Sequence, residues 1–247
     1  MESFGHHIPP HVRRHVLEFF FLSSSQLRVP PIVKYTALSL FADRFFRSLR
    51  RKSRLLAEND TGNWLLQPLR LSNLQLFALI SIWISSKIHD TRPLSVKSLK
   101  SLGDEIIKDQ HFTTRDFAEA ELVFMKVLGF EIGALNIAFI FLEDLLLQFR
   151  ELSKVGDLVN FDACMNVMDL LYETEETSMI YSSPHSLAAS VLVASYVLTV
   201  PKQQWEFPLL PWVKYVTSYK EEEIGELVKV ILQHVFQTTT EWEGFAR

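Results

Sequence analysis

Hydrophobic residues recur at three- and four-residue spacing along most of the chain, which is the period of a helix with one buried face. In the first half this pattern predicts five helices, which span about residues 11–22, 31–49, 72–87, 95–102 and 115–128. Ser72 and Thr113 are residue types that cap helix N-termini, and each precedes one of these segments. The first half therefore predicts a helical bundle.

The third segment is apolar on almost every side between Leu74 and Ile84. A helix of this kind belongs at the centre of a bundle, where all of its faces meet other helices. The apolar stretch is shorter than the ~18–20 residues that cross a bilayer. We therefore predict a core helix and no contact with a membrane.

The second half repeats the order of the first. Its patterns predict helices over about residues 136–152, 161–174, 186–198 and 221–236, with Asn136 as a cap and a short fourth helix bracketed by Pro201, Pro208 and Pro211. The alternation that is typical of strands does not appear. We predict an all-α fold made of two tandem five-helix bundles.

Charge and composition narrow the choice of partners. Hydrophobic residues make up 48% of the chain and the net charge is −4, so the chain as a whole does not attract nucleic acid. One basic cluster interrupts this balance, and it comprises Arg47, Arg50, Arg51, Lys52 and Arg54. It fits either a solvated loop or a nuclear-import patch.

Residues with catalytic or metal-binding potential are scattered. Cys164 is the only cysteine, which excludes an internal disulfide and a Cys-based zinc site. No phosphate-binding glycine loop, nucleophile elbow or H-E-x-x-H pair is present. His11, His15 and Glu18 could share a helical face at a metal-ligand spacing, but without a comparable fourth ligand they fit surface or partner-facing residues better. The acidic run Glu173, Glu175 and Glu176 fits a solvated helix end better than a catalytic carboxylate pair. We therefore predict no enzymatic activity, no cofactor and no metal.

One carboxylate lies on an apolar stripe in the fifth helix. Glu121 shares the stripe with Met125, Leu128 and Ile132, and burying it alone would cost several kcal/mol. Lys87, at the end of the third helix, is a candidate partner. It could equally complement the helix C-terminus, where a cation gains ~0.3–1 kcal/mol. Both interpretations stay open at this point.

Four short motifs in the first half resemble the cyclin box, in order and at compatible spacing. Arg14-His15-Val16-Leu17 resembles its Arg-Ala-Ile-Leu motif, and Ala42-Asp43-Arg44-Phe45-Phe46 resembles its Ile-Asp-Arg-Phe-Leu motif. Leu74-Gln75-Leu76 with Ser85-Ser86-Lys87 resembles Leu-Gln-Leu…Ala-Ser-Lys. Glu121 with Lys126-Val127-Leu128-Gly129-Phe130 resembles Glu…Lys-Val-Leu-Thr-Phe. The chain is most similar to the small plant J-type cyclins. The resemblance implies an N-terminal cyclin box over residues 9–132 and a C-terminal cyclin-like domain over residues 135–238.

The resemblance also implies a function. Cyclins are non-catalytic regulatory subunits that bind and activate cyclin-dependent Ser/Thr protein kinases in cell-cycle control, and the kinase's substrates are a second class of partner. We expect the chain in the nucleus, with the cytoplasm as a second location. The alternatives are a transcription factor of the TFIIB type, which would need basic faces for DNA, and a helical scaffold without a kinase.

The site residues follow from the same resemblance. Positions matching Lys87 and Glu121 form a polar anchor for the kinase, and those matching Ile88, Met125, Phe130 and Ile132 receive its regulatory helix. Arg14, Asp43 and Arg44 belong to the cyclin-box motif.

The chain departs from the family at two places. Arg13 replaces a methionine and Phe20 a tryptophan in the groove for Arg-x-Leu substrates, for which the matching residues are Arg13, Val16, Leu17 and Phe20. We therefore expect such peptides to bind poorly. His89 and Asp90 replace two acids that usually face the kinase, so we expect an unusual kinase partner.

Overall fold

The fold was examined in a computed structural model, which describes residues 3–4, 8–49, 63–133, 136–173 and 183–245. The chain forms two compact units, Met1–Leu135 and Asn136–Arg247. Each unit is a bundle of helices around one central helix. The all-α prediction is confirmed.

The first unit contains five helices among its described residues. Helices α1, α2, α3, α4 and α5 span Pro10–Gln26, Pro31–Leu38, Leu71–His89, Val96–Ile106 and Thr114–Val127. Helix α2 continues as a π-helical segment, Ser39–Phe45. Two-residue strands, β1 (Ser3–Phe4) and β2 (Leu69–Arg70), pair antiparallel, with Ser3 opposite Arg70. Strands this short leave no alternating pattern, and the sequence did not predict them.

The second unit repeats this arrangement. Helices α6, α7, α8, α9 and α10 span Ala138–Leu152, Phe161–Glu173, Pro184–Thr199, Leu209–Thr217 and Glu221–Phe245. Short 3-10 helices lie at Lys154–Leu158 and Lys202–Gln204. Pro184 occupies the first turn of α8, where proline is tolerated because its missing N–H has no helical acceptor.

The central helix of the first unit is α3. Residues 72–86 are all buried, and α3 packs against α1, α2, α4 and α5. The helix has 19 residues and is long and apolar enough to cross a membrane by length and composition alone. The prediction that it is too short for a membrane span was therefore wrong. Within its most apolar window, however, 83% of the residues are buried inside the bundle. Burial among the other helices accounts for its hydrophobicity.

Phenylalanine rings join α2, α3 and α5. The Phe45 ring lies 4.8 Å from that of Phe77 and 4.6 Å from that of Phe124, measured between ring centroids. All three side chains are fully buried. Such aromatic pairs add ~0.5–1.5 kcal/mol each beyond the burial of their surface. This cluster packs the N-terminal half of α3 against the last turn of α5.

The predicted helix caps had different outcomes. Thr113 and Asp116 form a reciprocal capping box at the start of α5, as the sequence indicated. Ser72 is not a cap, because α3 already begins at Leu71 and Ser72 is buried inside it. Asn136 is not a cap either, since Ile137 occupies that position and α6 has no side-chain cap.

Part of the basic cluster lies outside the described residues. Arg50, Arg51, Lys52 and Arg54 belong to this part, and Arg47 is exposed. Glu175 and Glu176 of the acidic run also lie outside the described residues.

Candidate functional site

The end of α3 carries a charged pair at the surface of the first unit. After a long buried run, the helix reaches solvent at Lys87, in its last turn. Lys87 Nζ donates to Glu121 Oε1 of α5 at 2.6 Å. The two side chains are 39% and 21% exposed, so the pair is partly accessible to water. The sequence predicted this pairing as one of two possibilities.

The Trp83 ring contacts the ammonium group of Lys87. Lys87 Nζ lies 3.5 Å from the centroid of the Trp83 ring, a cation–π contact one helical turn before the lysine. The Trp83 indole N–H donates to the Leu94 carbonyl at 3.0 Å, which holds the ring in place. Sequence analysis missed this residue, although its four-residue spacing from Lys87 placed both on one face of α3.

Apolar side chains accompany the pair. Ile88 follows Lys87 and is exposed, and Leu122 follows Glu121 and is 44% exposed. Met125 and Ile132 are half-buried, whereas Phe130 is 56% exposed. Four of these residues were predicted from the sequence, but Leu122 was not, because position 122 lies off the stripe through Glu121. The first unit thus combines a charged pair with exposed apolar groups on α5 and at the ends of α3 and α5.

A tight turn carries Phe130 beyond the end of α5. The Phe130 N–H donates to the Met125 carbonyl at 2.8 Å and the Gly129 N–H to the Lys126 carbonyl at 3.1 Å, which is the Schellman arrangement. Gly129 has φ +66° and Phe130 has φ +62°. The left-handed region suits glycine but is disfavoured for a bulky side chain such as that of Phe130.

Arg44 contacts this turn from the π-helical segment. Its Nη2 donates to the backbone carbonyl of Glu131 and lies 3.9 Å from the Glu131 carboxylate. The Arg44 side chain is largely buried, while that of Glu131 is largely exposed. The resemblance identified Arg44 as part of a motif, and the structure shows what its guanidinium contacts.

The two positions after Ile88 differ in environment. His89 Nε2 lies 2.9 Å from the Thr36 hydroxyl of α2, and burial lowers the pKa of His89. The ring therefore favours the neutral form. Asp90 is exposed. Of the two residues that replace family acids, His89 is thus turned towards its own bundle.

The residues matching the substrate groove lie on the inner face of α1. Arg13 is 5% exposed, and Val16, Leu17 and Phe20 are buried as well. This burial leaves little surface to a peptide, because all four belong to the core stripe of the helix. The poor binding of Arg-x-Leu peptides stays a prediction.

The remaining residues of the cyclin-box motif and the residues considered as metal ligands form no metal-binding site in the part of the chain that the structure describes. Arg14 is exposed and its Nε donates to Glu18 Oε1 at 3.3 Å, whereas Asp43 is half-buried. His15 Nδ1 lies 3.9 Å from Glu18 Oε2. Within the described residues, no group of three or more His, Cys, Asp or Glu side chains could hold a metal ion. Burial raises the pKa of the Cys164 thiol.

With this geometry in hand, the chain was compared with known proteins. The sequence profile of the cyclin N-terminal domain matches residues 3–133. The chain belongs to the cyclin family. It is 60% identical to Cyclin-J18 of Arabidopsis thaliana over 230 residues, which cover 93% of this chain and 97% of that protein. It is 59% identical to the Cyclin-J18-like protein of Oryza sativa subsp. japonica over 231 residues, or 92% and 88% of the two chains.

A solved structure supports the fold of this cyclin. The X-ray structure of a viral cyclin from herpesvirus saimiri superposes with a TM-score of 0.66 and covers 92% of this chain and 86% of the viral chain. Only 16% of the residues are identical, so this likeness concerns the fold. The resemblance to plant J-type cyclins is confirmed by the two plant relatives.

Proposed function

We propose that this cyclin is a non-catalytic regulatory subunit that binds and activates a cyclin-dependent Ser/Thr protein kinase in cell-cycle control, acting in the nucleus. Family membership supports the general role. The observation that carries the proposal is the partly exposed Lys87–Glu121 pair, each member of which is followed in the sequence by an exposed apolar residue, Ile88 or Leu122. These groups are suited to a partner that contributes both a polar contact and an apolar helix.

The energetics favour a role in binding over a role in folding. A solvent-accessible ion pair contributes ~0–1 kcal/mol to stability, because water screens both charges. When a partner covers the pair and excludes water, the same charges interact much more strongly with each other and with groups of the partner. The exposed Ile88, Leu122 and Phe130 would lose contact with water in the same event. Binding is therefore where these residues contribute free energy.

An activation assay tests the proposal. The purified cyclin is mixed with each Arabidopsis cyclin-dependent kinase catalytic subunit in recombinant form, and phosphate transfer to a Ser/Thr substrate protein is measured. We expect no transfer by the cyclin alone, and at least tenfold stimulation of one or more kinases. Absence of binding and stimulation across the whole panel would favour a helical scaffold instead.

A further inference from the structure

The turn after α5 has a conformation that its own sequence does not favour. Gly129 can adopt a positive φ without cost from a side chain, but Phe130 also has φ +62°. A bulky residue in this region is held there by its surroundings, since alone it would return to an extended or helical conformation. The Schellman hydrogen bonds fix the Gly129 and Phe130 N–H groups, and a longer bond of 3.3 Å joins the Glu131 N–H to the Leu128 carbonyl. None of these backbone bonds engages the Glu131 carbonyl, on the far side of Phe130.

Arg44 supplies an anchor at the Glu131–Ile132 peptide. Its guanidinium donates to the carbonyl of Glu131, the residue after Phe130. A hydrogen bond from a cation is stronger than one between neutral groups, and the Arg44 side chain is only 27% exposed. The Glu131 carboxylate contributes less, because it is 83% exposed and its Oε2 lies 3.9 Å from Nη2.

The turn determines where two apolar side chains lie. Phe130 stands out from the surface, and the Ile132 N–H donates to the Phe130 carbonyl at 3.0 Å, which couples the two residues. Without the anchor at residue 131, Phe130 could leave the left-handed region and its ring would move. Arg44 lies on the π-helical segment of α2, where the departure from α-helical geometry is itself typical of functional positions.

We propose that Arg44 is a positioning residue that holds the Gly129–Ile132 turn in the conformation that binds the kinase. The inference rests on the proposed function, because Phe130 matters only if this surface contacts a partner. Arg44 acts through the turn and does not need to touch the kinase. It is a specific role for a residue that the sequence placed only in a motif.

A double-mutant cycle tests the proposal, with affinity for the recombinant kinase measured by biolayer interferometry. Arg44→Ala and Phe130→Ala are each expected to weaken binding at least tenfold, which corresponds to about 1.4 kcal/mol. If Arg44 acts through Phe130, the double variant binds no more weakly than the weaker-binding single variant. Full additivity would overturn the proposal, because it would mean that the two residues act independently.

Three further variants isolate the hydrogen bond. Arg44→Lys keeps a cationic donor and is expected to recover part of the affinity, whereas Arg44→Met keeps the length without a donor and recovers none. Glu131→Ala keeps the carbonyl and should bind within about twofold of the parent, a change of about 0.4 kcal/mol. A tenfold loss for Glu131→Ala would overturn the assignment to the carbonyl. Arg115→Ala, which removes an exposed arginine at the start of α5, is the matched control.

The affinities of the Lys87, Phe130 and Arg44 variants separate an error in the role of Arg44 from an error in the proposed function. If Lys87→Ala and Phe130→Ala weaken binding but Arg44→Ala does not, only the role of Arg44 is wrong. If Lys87→Ala and Phe130→Ala both leave binding unchanged, the kinase does not use this surface, and the proposal for Arg44 fails with it.

Discussion

Helices α3 and α8 are both the buried centre of a five-helix bundle, but they end differently. The last three residues of α3 are Lys87, Ile88 and His89, whereas α8 ends in Val197, Leu198 and Thr199. In α8 the last hydroxyl is bonded inside its own helix, from Thr199 Oγ1 to the Ser195 carbonyl at 2.7 Å. The second bundle shows that this fold closes around its central helix without a cation at the helix end.

The comparison explains why the charged pair points to binding. Were a Lys–Glu pair required to hold the central helix, α8 would need one too. Instead, α8 contributes aromatic packing, with its Tyr196 ring 6.1 Å from that of Phe149 in α6. The second bundle thus forms without a lysine at the end of its central helix, which favours our proposal that the pair in the first unit serves a partner.

Substitutions at two glycines test whether the second unit and the turn after α5 differ in their roles in folding and in binding. In the second unit, a Cβ on Gly156 would lie 2.8 Å from the backbone of Phe149 and Arg150, which cannot move aside. We expect Gly156→Ala to lower the free energy of unfolding by about 3 kcal/mol, the upper range for overpacking. Urea unfolding followed by circular dichroism measures this loss. Unchanged stability would mean that α6 and the following 3-10 helix do not approach so closely.

The matched substitution in the first unit is Gly129→Ala. A Cβ there meets no atom within 4 Å, so only the positive φ opposes it, at a cost of about 1 kcal/mol. We expect a small loss of stability but a clear loss of kinase affinity, since the turn that carries Phe130 relaxes. Equal affinity with the parent in biolayer interferometry would contradict the role of this turn.

The helical architecture could be predicted from the sequence because it depends on periodicity. The apolar run of α3 and the Thr113 cap are local signals, and the predictions from both are confirmed. The caps predicted at Ser72 and Asn136 were wrong by two residues and one residue, because residue type alone does not fix where a helix begins.

The details of the site depended on contacts that no local pattern shows. The contact between Arg44 and the Glu131 carbonyl joins residues far apart in the chain, and its acceptor is backbone, which has no residue signature. The burial of Arg13 was also unpredictable, because a cation on a core stripe breaks the usual pattern. The pairing of Lys87 with Glu121 could be suggested, but only the packing of α3 on α5 decided it.

His89, at the end of α3, should make the stability of the protein depend on pH, an effect smaller than those of the glycine substitutions. Burial lowers the pKa of His89 in the folded protein, so the unfolded chain takes up its proton at higher pH than the folded chain does. The stability that neutral His89 contributes is present above pH ~6.5, its unfolded pKa, and is lost as the pH falls through the lower folded pKa.

We expect His89→Gln, which can keep a bond to Thr36, to lose less stability than the parent between pH 6.5 and 5. Thermal unfolding across this range is the measurement, and His15→Gln, at an exposed position of α1, is the control. Parallel curves for the parent and His89→Gln would contradict a titrating role for this ring.

The smallest expected effect is the binding of an Arg-x-Leu peptide to this protein. Because Arg13, Val16, Leu17 and Phe20 are buried, such a peptide finds little apolar surface on α1. A fluorescence titration should show affinity weaker than low micromolar, which corresponds to about −8 kcal/mol. A micromolar complex would show that a docking groove exists and that the burial of α1 does not prevent its use.

Lys87→Ala tests the central claim most directly, when its stability and its kinase affinity are measured together. Lys214→Ala is the matched control, because Lys214 Nζ makes a similar exposed pair with Glu221 of the second unit at 3.1 Å. We predict that both variants melt close to the parent, within the ~0–1 kcal/mol of an exposed pair, and that only Lys87→Ala loses at least tenfold in kinase affinity, about 1.4 kcal/mol. If Lys87→Ala instead melts far below Lys214→Ala yet still binds the kinase, the pair belongs to the fold and the account is wrong.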